Sequence, residues 1–308
     1  MTTRTAPAPT APSRRSVPVR HRKRRAGALP WLFLALPLLL LAVFTYIPVI
    51  SMAWYSTTSW NGVSKRMPFV GVENYVEIFT RPQLFEVFLV SLYYVVAAFL
   101  QLAVALYFAT LLSFRVRFGN LFKGLLFFPY LINGVAIAFV FLYFFRPDGT
   151  LDSLLEFVGL SGHQWLGDPD TVNYSLAGVS VWRYTGLNFV LFLGAIQSIP
   201  SDLYEASDMD GATRWQQFRH IILPGIRPVV GLMSILALAG SLSVFEIPYI
   251  MTGGANGSRT FVIQTVDMAF RFDKVGLASA MAFVLLALVL LVTWVQRRLF
   301  PDDRSTTP

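Results

Sequence analysis

Six apolar stretches recur along the chain, at about residues 30–55, 86–112, 122–145, 174–198, 227–250 and 276–298. Each is long enough to cross the hydrocarbon core of a bilayer as a helix, which takes about 20 apolar residues. No water reaches the backbone inside lipid, so a span must satisfy its own N–H and C=O groups, as a helix does within one segment. The chain therefore reads as an all-α polytopic membrane protein with six transmembrane helices. Only 14% of its residues are charged, where a soluble domain carries about 25%. Trp31, Trp54 and Trp294 fall near span ends, where aromatic rings meet lipid headgroups. Pro37 and Pro48 are expected to kink the first span.

The formal net charge of +8 could suggest a nucleic-acid partner. Its distribution argues for a membrane surface instead. With the N-terminus inside, the inner segments hold Arg4, Arg14, Arg15, the basic run 20–25, Arg115, Arg117, Lys123, Arg214, Arg219, Arg227, Arg297, Arg298 and Arg304. The outer loops hold only Lys65, Arg66, Arg81, Arg146, Arg259, Arg271 and Lys274. This bias predicts a multi-pass membrane protein with both termini cytoplasmic. Residues 1–28 read as a disordered basic cytoplasmic tail, 29–300 as the membrane domain and 301–308 as a second cytoplasmic tail. A basic run before an apolar run also marks a secretory signal, but 29–50 is too long and no small-residue cleavage site follows. It reads as a retained first helix anchored by its basic flank to anionic lipid.

Several chemistries are excluded. There is no cysteine, hence no disulfide or thiolate site, and His21, His163 and His220 are too scattered for a metal cluster. No GxxxxGK[ST] loop occurs, so no ATP site is expected. No catalytic triad or carboxylate pair stands out, so the chain reads as non-enzymatic with no cofactor of its own.

The most polar long segment between the two ends is IPSDLYEASDMDGATRWQQFRHIILPGIRP, residues 199–228. It predicts two short helices joined at a glycine. Asp202 is the expected N-cap, with Glu205 reaching back from N3. Leu203, Ala206 and Met209 then share a face, while Glu205 and Asp208 point away. Gly211 makes the turn, with positive φ or a very close neighbour. The second helix is expected over Ala212–Ile222, ended by Pro224. An apolar stripe with a charged back suits docking onto another protein.

Glu205-Ala206, Gly211, nine residues, then Ile221 and Leu223-Pro224 resemble the EAA motif of ABC importer permeases. Ser207 stands where a second alanine is usual, and serine is nearly as small. Phe69, Gly71, Asn74 and Tyr75 resemble the FxGxxNY segment of the carbohydrate (maltose-type) branch, and this stretch also reads as an amphipathic surface helix over Val72–Phe79. Thr252-Gly253-Gly254, followed by Phe270, Gly276, Ala278 and Ala280, resembles a late stretch of the same branch, with Ala255 replacing a usual proline. The resemblance covers about 30–300 and is to the larger-type permease subunit. It implies a translocation path for a sugar, a di- or oligosaccharide above all. The implied partners are a second homologous permease, two cytoplasmic ATPase subunits that bind the ATP, and an extracytoplasmic solute-binding protein. Glu205, Ala206, Asp210, Gly211, Ile221, Leu223 and Pro224 would carry the coupling to the ATPase. The other reading is an ion-coupled secondary transporter or channel, which would want buried ionisable groups or an inverted repeat.

Polar groups inside spans are costly and mark candidate sites. They are Gln101, Asn133, Arg183, Tyr184, Asn188, Ser241, Ser243 and Glu246. By position around the EAA segment, the resemblance implies a sugar path along Tyr184, Leu187, Asn188, Ser241 and Ser243. The serines read equally as hydrogen-bonding glue between helices. Arg183 is expected to snorkel to the outer interface, and Glu246 to cap a kink before Pro248. The acidic loop 146–173, with Asp148, Asp152, Glu156, Asp168 and Asp170, reads as a solvated face open to a binding protein.

Overall fold

A computed structural model of the chain describes residues 29–114 and 118–299. The two expected tails and the cations Arg115, Arg117 and Arg304 lie outside the described residues. The chain falls into two units, 1–49 and 50–308. In the first, α1 (Leu29–Leu41) passes into a π turn, Ala42–Tyr46. The following α2 spans Ile47–Tyr55. Pro37 lies within α1, while Pro48 follows the wide turn, whose closing bond runs from the Ile47 N–H to the Ala42 carbonyl. A proline has no N–H to give and its ring crowds the carbonyl four residues back. One wider turn relieves both problems without ending the helix.

The second unit continues with α3 (Glu73–Thr80), α4 (Pro82–Phe85), α5 (Val87–Ser113), α6 (Gly119–Leu131), α7 (Gly134–Phe144), α8 (Thr150–Phe157) and α9 (Val172–Gln197). The 199–228 segment holds α10 (Ser201–Met209), α11 (Arg214–Gln217), a π turn over Phe218–Ile222, and α12 (Leu223–Gly225). Then come α13 (Arg227–Leu242), α14 (Glu246–Thr252), α15 (Phe261–Phe270) and α16 (Val275–Leu299). Among the described residues, 5 helices are long and apolar enough to cross a membrane, or 6 with one bent pair counted as a span.

That bent pair occupies the third expected span, about 122–145. The axes of α6 and α7 differ by 96°. Pro129 sits near the end of α6, Ile132 is extended, and the Asn133 side chain accepts the Val135 N–H at 2.8 Å to start α7. Asn133 is thus an N-cap, worth about 1 kcal/mol where it replaces a missing backbone partner.

Helices in lipid gain no hydrophobic burial from each other, so packing rests on close contact. Along α5, Leu102, Ala105, Ala109 and Leu112 form one buried stripe against Phe189, Phe192, Leu193 and Ile196 of α9. The alanines let the two backbones approach. Other faces of α5, with Leu89, Leu92, Val96 and Phe99, remain exposed and apolar, as a lipid-facing surface requires.

Two motif stretches that lie far apart in sequence meet on residues 56–60. The buried Asn74 amide donates to the Ser56 and Thr58 carbonyls, at 2.8 and 2.9 Å, and Tyr75 Oη meets Ser56 Oγ at 2.7 Å. From the other side, the Gly276 N–H donates to the Trp60 carbonyl at 2.9 Å. A Cβ at Gly276 would collide with the Thr58 carbonyl oxygen, which explains the glycine. The acidic loop also departs from expectation at one residue. Asp152 is buried and accepts from the Trp165 indole at 2.9 Å and from the Asp148 and His163 amides. The indole bond holds its carboxyl below the usual aspartate range, against the opposing effect of burial.

Gly186 is buried where α9 crosses α6, and a Cβ there would strike the Leu126 carbonyl and the Phe127 Cα. Gly178, on the same helix, has open space around it. Gly186→Ala is therefore expected to lower the thermal stability of the purified protein by about 1–3 kcal/mol, as overpacking does. Gly178→Ala is expected to leave it unchanged or slightly higher. Equal melting temperatures for the two variants would refute the close crossing.

Candidate functional site

Helical spacing puts Ser180, Tyr184, Leu187, Asn188 and Leu191 of α9 on one wall of a cavity of about 460 Å³. Tyr94, Ala97, Ala98 and Gln101 of α5 form a second wall. The third comes from Met233, Leu236, Ala237, Gly240 and Ser241 of α13 and from the broken stretch 243–247. All of the residues expected along a sugar path, Tyr184, Leu187, Asn188, Ser241 and Ser243, lie on this one cavity. Asn133 does not. Phe245, Tyr184 and the aliphatic side chains present flat apolar surface. Several polar groups make only local bonds: Asn188 Nδ2 donates to the Tyr184 carbonyl at 3.1 Å and Ser241 Oγ to the Leu238 carbonyl at 2.8 Å. Their oxygens still have acceptor capacity. An apolar pocket of this size with a few convergent dipoles is the form that small-molecule sites take.

The charged pair beside the cavity was not legible in the sequence. Arg183 Nη1 donates to Glu246 Oε2 at 2.8 Å, and the arginine side chain is 13% exposed. Arg183 therefore does not snorkel, and Glu246 is more than a cap. The carboxylate does sit in the first turn of α14, where the helix dipole favours it. Gly134 makes room for both: a Cβ there would collide with Glu246 Oε2 and Arg183 Nη1. One ion pair thus joins α9, the start of α14 and the capped start of α7.

The 199–228 segment is built by local rules. Gly211 has φ +75°, and nothing lies within 4 Å of the position its Cβ would take, so conformation rather than crowding demands glycine. Its N–H donates to the Asp208 carbonyl and the Ala212 N–H to the Ser207 carbonyl, both orphan groups at the end of α10. The expected Asp202–Glu205 capping box is absent. Pro200 occupies the N-cap position, which puts Asp202 in the first turn. A capping box does form one helix later, between Thr213 and Gln216, from a T-x-x-Q signal that was present in the sequence. Pro224 does not end the second helix. The π turn before it closes with the Leu223 N–H on the Phe218 carbonyl, as at Pro48, and the helix runs on to Gly225.

Ser207 proves useful where alanine was usual. The buried Gln217 donates to Ser207 Oγ at 2.8 Å and to Asp208 Oδ1 at 2.7 Å, tying the two short helices together. Leu203, Met209 and Trp215 stay exposed, Met209 at 88%. The acids Glu205 and Asp210 and the small Ala206 are exposed beside them. Ile221 is partly buried, and Leu223 and Pro224 are exposed on the second arm.

Residues 101–304 match the family described as the binding-protein-dependent transport system inner membrane component. The chain belongs to that family. It is 34% identical over 285 residues to the probable ABC transporter permease protein YurN of Bacillus subtilis, covering 90% of this chain and 97% of that protein. It is 29% identical to the trehalose/maltose transport system permease protein MalF of Thermococcus litoralis, covering 90% and 94%. The fold matches that of a chain in the crystal structure of a bacterial ABC transporter that imports the acidic polysaccharide alginate. That match has a TM-score of 0.79 at 21% identity and covers 91% of this chain and 96% of that one. The protein is thus a membrane-embedded transport component and not an enzyme, an ABC permease rather than an ion-coupled secondary transporter. It works with an ATPase and a solute-binding protein.

Removing one partner of the ion pair leaves the other charge uncompensated. Arg183→Gln and Glu246→Gln are each expected to lower stability by about 1–3 kcal/mol, less than for a fully buried pair because Glu246 is partly exposed. The double variant should recover part of that loss. Thermal unfolding of the four proteins in detergent gives the coupling directly, and additive losses would show that the pair contributes nothing.

Proposed function

We propose that this chain forms the translocation path of a sugar importer together with a second, homologous permease, and that the cavity between α5, α9 and α13 is where the sugar rests. The observation that carries this reading is the convergence of Tyr184, Leu187, Asn188, Ser241 and Ser243 on one cavity beside a broken helix. A sugar ring has apolar faces and a rim of hydroxyls. The wall matches it with aromatic and aliphatic surface and with amide and hydroxyl groups. The naming of relatives for trehalose and maltose transport supports a di- or oligosaccharide.

Two ATPase subunits, which bind the ATP, would dock on 199–228 from the cytoplasm, with the solute-binding protein delivering sugar on the outer side. Glu205, Ala206, Asp210, Gly211, Ile221, Leu223 and Pro224 would form the coupling surface. The exposed Leu203, Met209 and Trp215 supply the apolar contact that such docking needs. The Lys and Arg bias supports a cytoplasmic position for both termini and for this segment, and the family resemblance supports a bacterial plasma membrane as the setting.

Cysteine labelling in intact cells tests the orientation, and the absence of native cysteine keeps the background clean. Cysteines at Thr10 and Ser305 should resist an impermeant thiol reagent, while one at the outer-loop residue Ser161 should react. Labelling of either terminus from outside would overturn the topology. The assembled importer in proteoliposomes tests function, with ATP hydrolysis followed as the binding protein is loaded with maltose, trehalose or lactose. Stimulation by a sugar is expected, and Tyr184→Ala or Asn188→Ala should weaken it. Gly211→Val would place a β-branched residue at positive φ, a strain of about 1–3 kcal/mol, or a tenfold loss of docking at ~1.4 kcal/mol per decade. It should insert and pair normally yet lose stimulated hydrolysis. Normal transport by Gly211→Val would remove the segment from the coupling role.

A further inference from the structure

The acidic loop carries a helix that buries only part of itself. On α8, Asp152 is buried and Leu151 and Leu155 are half-buried, so that side packs on the protein. The remaining surface is divided. At about 100° per residue, Leu154, Phe157 and Val158 fall on one side of it and Ser153 and Glu156 on the other. All five are exposed, Phe157 at 90%, and Leu160 beyond the helix is exposed as well. Large apolar side chains gathered on one stripe of a two-turn helix are costly to leave in water.

The fold fixes where this helix lies. α7 is the second half of the bent membrane-spanning pair, and its exposed face carries Phe139, Val140 and Tyr143. After α7 the chain reverses at once, with the Gly149 N–H donating to the Arg146 carbonyl at 2.8 Å. A Cβ at Gly149 would come within 2.6–3.2 Å of the Arg146, Tyr143 and Phe144 carbonyl oxygens, so α8 starts against the last turn of α7. The returning chain is held at the same level. The Trp165 ring lies 6.3 Å from that of Phe145 while its indole holds Asp152, and Leu166 packs on the buried cluster that includes Ile137 and Leu176. α8 has 8 residues. A helix that short is about 12 Å long, so its far end stays near the level at which α7 leaves the hydrocarbon.

We propose that α8 is a membrane-surface helix, lying in the headgroup layer with Leu154, Phe157 and Val158 set into the acyl boundary and Ser153 and Glu156 toward water. A helix with one apolar stripe and a polar back takes that position. Lipid then covers the apolar stripe, in continuity with the lipid against α7. Tyr143 and Arg146 are exposed on either side of the α7 end, where an aromatic ring and a cation meet headgroups. A solute-binding protein comes and goes, so a surface kept for it would leave Phe157 in water between visits. Lipid covers the ring throughout. The inference requires only that the chain spans a membrane, not that the cavity holds a sugar.

The test places a nitroxide label on single cysteines, Ser153→Cys, Leu154→Cys, Glu156→Cys, Phe157→Cys and Val158→Cys, each in the assembled importer in proteoliposomes. Collisions are measured with oxygen, which concentrates in lipid, and with a nickel chelate, which stays in water. The oxygen-to-nickel ratio is expected to be about fivefold or more higher at 154, 157 and 158 than at 153 and 156, as one buried stripe in the interface requires. Adding the binding protein should leave that pattern unchanged. Free collision with nickel at all five positions would place the helix in water and overturn the inference. Shielding of 154, 157 and 158 that arises only when binding protein is added would make the stripe a protein-docking face instead. Shielding of those positions from both reagents in its absence would mean that a second permease covers them, and the inference would fall as well.

Discussion

Within the hydrocarbon layer every backbone N–H and C=O must find its partner inside the protein, and the rest of this structure follows from how the chain meets that demand. Unbroken helices meet it trivially. The informative places are the breaks. Between α6 and α7 the Asn133 side chain replaces a missing carbonyl. Between α13 and α14 the chain leaves the helix at Ser243 and re-enters at Glu246. This second break lines the cavity, and the two breaks are tied together where Arg183 and Glu246 pack over Gly134. A polar site in a membrane protein needs irregular backbone sheltered by protein, and the ion pair braces that irregularity.

Packing elsewhere runs on proximity rather than on release of water. The alanines of α5 and Gly186 of α9 bring backbones into contact, and dispersion scales with that contact. The same logic holds around residues 56–60, where Gly276 admits the Thr58 carbonyl and Asn74 bonds the neighbouring backbone. Two motifs thus hold one short stretch from opposite sides.

The 199–228 segment satisfies itself. The αL glycine closes the end of α10, the Thr213–Gln216 box opens α11, and Gln217 bridges them through Ser207 and Asp208. With its polar needs met internally, the segment can present Leu203, Met209 and Trp215 outward as a preformed surface. Preorganisation of this kind spares a docking partner the cost of ordering the loop.

The sequence by itself determined what local rules govern: the apolar spans, the all-helical class, and a turn at Gly211, for which positive φ and a close neighbour both stayed open until the structure gave φ +75° with open space around it. Those depend on neighbours within a turn or two, or on solvent alone. Local competition also explains one miss, since Pro200 took the N-cap position expected for Asp202. Only the tertiary structure decided the rest. Arg183 reads as a snorkelling cation until a carboxylate 63 residues away is brought to 2.8 Å. Asp152 reads as solvated until the Trp165 indole covers it. The 96° bend in the third span leaves no mark in hydropathy, which measures length and composition but not direction. Each of these depends on which faces meet, and a residue's own neighbours in sequence carry no record of that.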